Sequence, residues 1–129
     1  MKYDEFLKQV EQHGGPTERT HADAATKVIL ASLGQRLAGR EPSDLASQLP
    51  TELQDPLLRG TGAAEIGDDF DDFLRRVADR EGQGCGPEQA LTHSRAVLGT
   101  VASFVSQGEI DDLRSQLPAG YAPMFEPAR

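Results

Sequence analysis

Apolar residues recur along this chain with the period of a helix, and never with the period of a strand. Tyr3, Phe6, Leu7 and Val10 fall at i, i+3, i+4 and i+7, which places one apolar stripe on a helix over residues 2–12. The run His13-Gly14-Gly15-Pro16 ends it. Ala25, Val28, Ile29, Leu33 and Leu37 form the stripe of a longer second helix that reaches Ala38. Its N-cap is Thr17 or Thr20, the latter with Asp23 as a capping-box partner, and Gly39 supplies its C-terminal stop. A third helix starts near Glu41, buries Leu45 and Leu49, and stops at Pro50. A segment with Leu53, Leu57 and Leu58 comes next, and Pro56 predicts that it is not one regular helix. Residues 59–67 carry three glycines and no period, and read as a loop.

The same plan then returns. Phe70, Phe73, Leu74 and Val77 repeat the first stripe. Ala90, Leu91, Val97, Leu98, Val101, Phe104 and Val105 form the second, closed by Gly108. Ile110, Leu113 and Leu117 form the third. Tyr121, Met124 and Phe125 lie in a closing segment that Gly120 and Pro123 make irregular. The correspondence extends to residue identity. Residues 3–10 (YDEFLKQV) match 70–77 (FDDFLRRV), and 44–50 (DLASQLP) match 112–118 (DLRSQLP) at six of seven positions. An internal duplication of this kind decides the architecture before any single element does.

The expected fold class is therefore all-α. Two tandem homologous repeats, 1–60 and 68–125, are expected to pack as one pseudo-twofold orthogonal helix bundle within a single domain, 1–129. A half of about 60 residues would be marginal alone, so the two half-cores are expected to merge.

The D-L-x-S-Q-L-P elements, together with the aromatic entries Phe6-Leu7 and Phe73-Leu74, resemble a bacterial family catalogued as domain of unknown function 2267. The resemblance covers nearly the whole chain. It implies an all-helical bundle with steep helix crossings, and it brings no activity, substrate or catalytic residue with it.

Charge changes the picture by exclusion. The net charge is −8, and six of those surplus negative charges lie in residues 65–129. Nucleic-acid binding draws on clustered Lys and Arg, and no basic stripe exists here, so no nucleic-acid partner is expected. No stretch approaches the roughly 20 apolar residues of a membrane span, so no membrane insertion is expected. The single cysteine, Cys85, forbids a disulfide within the chain. No apolar run followed by a cleavage site occurs in the first twenty residues. A cytoplasmic location is the expectation.

Candidate chemistry is sparse. The acidic run Glu65, Asp68, Asp69, Asp71 and Asp72 lacks calcium-loop spacing and reads as first-turn carboxylates on a helix dipole. His13, His21 and His93 form no H-x-x-x-H or H-E-x-x-H pattern, and each reads as structural. Paired with the first half, His93 stands opposite Ala25 on the long helix. Cys85, among glycines ahead of a helix start, has no local base. No catalytic residue, cofactor or metal ligand is therefore expected. The twin Ser-Gln pairs, Ser47-Gln48 and Ser115-Gln116, are expected to cap the segments after them. Gln48, Asp111 and Gln116 are the candidates for a partner surface.

Two functions fit this sequence. One is a non-enzymatic cytoplasmic interaction module for an unidentified protein partner, with stress physiology as its candidate setting. The alternative is a small-molecule or metal-binding protein with a pocket between the two repeats.

Overall fold

The computed structural model describes residues 2–37, 41–59, 70–82, 86–117 and 119–125. All regular structure among them is helical. The elements are α1 (Lys2–Gln12), α2 (Arg19–Gly34), α3 (Glu41–Ser47), α4 (Thr51–Arg59), α5 (Phe70–Glu81), α6 (Pro87–Phe104), α7 (Gln107–Gln116) and a closing 3-10 helix, Ala119–Phe125. The expected loop before α5, the Cys85 connection and the last four residues lie outside the described residues.

The predicted stripes are the buried faces. Tyr3, Phe6, Leu7 and Val10 of α1 are buried, as are Phe73, Leu74 and Val77 of α5. Leu45, Leu49, Leu113 and Leu117 are buried too. One core cluster runs through every helix. The long helices α2 and α6 touch at its centre, with α1 on α6 and α5 lodged against both. Helix α4 lies along α2, the 3-10 helix along α6, and α3 against α7. Aromatic rings join neighbouring elements of this arrangement. Phe6 meets Phe104 at 5.1 Å, and Tyr121 stands edge-on to Phe70 and Phe73 at 5.1 and 5.2 Å, a favoured geometry.

Four boundaries differ from expectation. Helix α2 is capped at Glu18, without a side-chain bond, rather than at Thr17 or Thr20. It ends at Gly34, not near Ala38, and the Leu57 carbonyl of α4 lies where a Cβ at Gly34 would stand, so α4 approaches closely only because that position is glycine. Ala38 and Gly39 lie outside the described residues. Helix α4 runs straight through Pro56. The proline has no N–H for the Glu52 carbonyl, and Glu52 is an exposed residue. Leu53 and Leu57, both fully buried, pin the turns on either side. Finally, α6 stops at Phe104, and Gly108 lies inside α7. Ser106 is the true start signal: its hydroxyl accepts the Glu109 N–H at 3.2 Å, the bond that an N-cap serine makes.

A candidate metal centre between the long helices

Three elements send a side chain to one point. His21 comes from the first turn of α2, Glu81 is the last residue of α5, and His93 lies on the buried face of α6. Gly82 makes the placement of Glu81 possible. It adopts φ +63° and donates its N–H to the Ala78 carbonyl at 3.0 Å, so α5 ends directly after the carboxylate. Arg80, next to it, donates to Ser32 Oγ of α2 at 3.2 Å and ties the end of α5 to α2.

His93 Nδ1 lies 2.9 and 3.1 Å from the two Glu81 oxygens. A carboxylate only accepts, so Nδ1–H is the donor. His21 Nε2 is 3.7 Å from Glu81 Oε1, and its ring stands edge-on to His93 with centroids 5.5 Å apart. The side chains of Glu81 and His93 are only 5% and 7% exposed, whereas His21 is 50% exposed. The inner pair is thus sheltered and the third group faces out. A carboxylate at a helix C-terminus opposes the dipole, and its near-complete burial adds a desolvation cost. Positive or hydrogen-bonding groups must offset both, and the two imidazoles stand where they can.

One donor atom from each of the three residues lies within 4.8 Å of the others. A tetrahedral zinc ion with bonds of about 2.0–2.2 Å sets its ligand atoms about 3.4 Å apart. The two carboxylate–imidazole separations, 2.9 and 3.7 Å, bracket that edge. Beside the cluster lies a cavity of about 370 Å³. Ala24, Ala25 and Val28 of α2 give it apolar lining, and Thr20 and Gln89 add polar groups.

The residues singled out from sequence lie elsewhere. Gln48, Asp111 and Gln116 are all exposed, but Gln48 also holds the backbone. Its Oε1 accepts the Ser106 N–H at 2.7 Å, at the start of α7. Asp111 accepts from Gln107 Nε2 at 3.0 Å. Ser47 and Ser115 bond back to Asp44 and Asp112 of their own helices, at 2.7 and 2.6 Å, rather than capping the next segment. His13 Nδ1 lies 3.2 Å from Thr100 Oγ1. Asp71 and Asp72 lie in the first turn of α5, while Glu65, Asp68, Asp69 and Cys85 fall outside the described residues. The His21–Glu81–His93 group was not visible as a spacing. Its one trace is that His93 stands where the first half carries Ala25.

As a class, this is an all-helical bundle with two imidazoles and a carboxylate lodged between its helices, and no helix among the described residues is long and apolar enough to cross a membrane. The chain belongs to the family described as uncharacterized conserved protein (DUF2267), whose profile matches residues 3–124. No curated protein matches it.

Proposed function

We propose that the protein binds a divalent transition-metal ion, zinc in the first instance, in the pocket between α2 and the α5–α6 pair. The ligands are His21 Nε2, a Glu81 oxygen and His93 Nδ1. The observation that carries this is the meeting of three donors of mixed nitrogen and oxygen character, two of them on buried side chains, within 4.8 Å of one another. Imidazole with carboxylate suits zinc and its neighbours, whereas calcium and magnesium take oxygen donors. The metal takes the Nδ1 position and the proton held there moves to Nε2, so the imidazole stays neutral, and protons compete with the metal for the same ligands as pH falls. The role is one of binding, with no catalytic step assigned.

The bundle itself reads as two copies of one unit about a pseudo-twofold axis. Helix α1 packs on α6 as α5 packs on α2, while α2 meets α6 and α3 meets α7. The pocket lies between the copies and is built where they differ: His93 against Ala25, and Gln89 against His21. A docking role has less support, because Gln48 is engaged in holding α7.

The test is a zinc titration of the chelator-stripped full chain, read by calorimetry and by melting temperature. One saturable site is expected. At free metal about 100-fold above Kd the gain is about 2.7 kcal/mol. His21→Ala, at a half-exposed position, should keep the fold and lose most of the affinity. Equal zinc responses from the wild-type, His21→Ala and His93→Gln proteins would defeat the assignment.

A further inference from the structure

We infer that the metal's fourth coordination position faces the cavity and takes an anionic oxygen donor from solution, a small carboxylate with a short aliphatic body. This rests on the metal reading above and extends it.

The first ground is the donor count. Among the described residues, three groups converge on the point. Zinc sites with three protein ligands keep an open position for water or an outside ligand, whereas closed structural sites use four. The second ground is where that position faces. Glu81 and His93 are enclosed and His21 is half exposed, so the uncovered side of the triangle is the one beside the cavity. At about 370 Å³ the cavity falls in the lower range of small-molecule pockets. It is too large for a bound water alone, which fills about 30 Å³.

The third ground is charge. A divalent ion with one carboxylate and two neutral imidazoles keeps a net charge of +1. In a partly enclosed site, one further anion neutralises it. Arg80 and Glu18 both line the cavity, are both exposed, and carry opposite charges, so the metal's own residual charge decides the sign of the ligand. The walls decide its body. Ala24, Ala25 and Val28 offer an apolar face, while Thr20 and Gln89 offer hydrogen bonds near the rim. A carboxylate headgroup on the metal with a short alkyl chain along α2 satisfies both.

The experiment uses the full chain loaded with cobalt(II), whose visible d–d bands report coordination, and titrates it with butyrate and, separately, with 1-butanol. Butyrate should shift the bands saturably and 1-butanol should not. Ala24→Phe fills the cavity from an exposed position. It should weaken the butyrate response about tenfold while leaving cobalt affinity unchanged. Three results would overturn the inference while leaving the metal site standing. One is bands indifferent to butyrate. Another is a butyrate response of equal affinity in Ala24→Phe. The third is an intense near-ultraviolet thiolate-to-cobalt band, lost in Cys85→Ser, which would show a fourth protein ligand closing the site. Failure to take up cobalt or zinc at all would overturn both readings.

Discussion

Replacing Gly34 with alanine tests the close packing of α4 on the end of α2. Gly34 is the last residue of that helix and is buried. A Cβ built there falls well inside contact distance of the Leu57 carbonyl oxygen and 3.3 Å from its carbonyl carbon. The obstacle is backbone, so no side-chain rotation relieves it, and α4 must move as a body. That motion would unseat Leu53 and Leu57, both fully buried. Overpacking of this kind costs about 1–3 kcal/mol. Alanine's helical advantage over glycine, at most about 1 kcal/mol in a helix interior, is smaller at a terminal residue and does not reverse the sign. A loss of about 1–2 kcal/mol is expected, or roughly 4 °C in Tm per kcal/mol for a chain of this size. Urea unfolding followed by far-ultraviolet circular dichroism measures it. Gly108→Ala is the matched control. Gly108 is exposed in the first turn of α7 with nothing in reach of a Cβ, so alanine there should be neutral or stabilise by up to about 0.5 kcal/mol. A Gly34→Ala protein as stable as the wild type, with the control behaving as stated, would show that α4 does not bear on α2 in this way.

Three further outcomes rest on particular contacts. Phe6→Ala and Phe73→Ala each remove a fully buried ring and should cost about 3–5 kcal/mol in the same assay. A loss below about 1 kcal/mol at either would place that ring outside the core. Tyr3 donates its hydroxyl to Asp23. Burial first, then that bond and the Asp23 charge, push the phenol well above its ordinary range. The folded state therefore holds the proton where the unfolded chain releases it. The stabilisation is complete below about pH 10 and is lost as pH rises beyond it. Tyr3→Phe should flatten that alkaline decline, and an unchanged pH–stability curve would refute it. Gln48→Ala removes the acceptor for the Ser106 N–H and should cost about 0.5–1.5 kcal/mol, whereas Asp111→Ala should stay within about 0.5 kcal/mol. Equal, negligible effects would return Gln48 to the free surface.

The helical period of Tyr3, Phe6, Leu7 and Val10, and of Phe73, Leu74 and Val77, was enough to place α1 and α5 and the faces they bury. A stripe at i, i+3, i+4 is a property of one helix, written in its own residues. Even the family was legible in the D-L-x-S-Q-L-P elements. The sites at which one helix meets another were not. Gly34 looked like an interior helical residue until α4 lay on it, and Pro56 looked like a break until Leu53 and Leu57 were pinned beneath it. Gly108 looked like a stop until Ser106, bonded to Gln48 just beyond α3, proved to be the start. The candidate metal centre is the extreme case. His21, Glu81 and His93 belong to three helices and share no local spacing, because helical periodicity relates a residue only to neighbours three or four positions away. Only the docking of α5 against both α2 and α6 carries the Glu81 carboxylate between the two imidazoles.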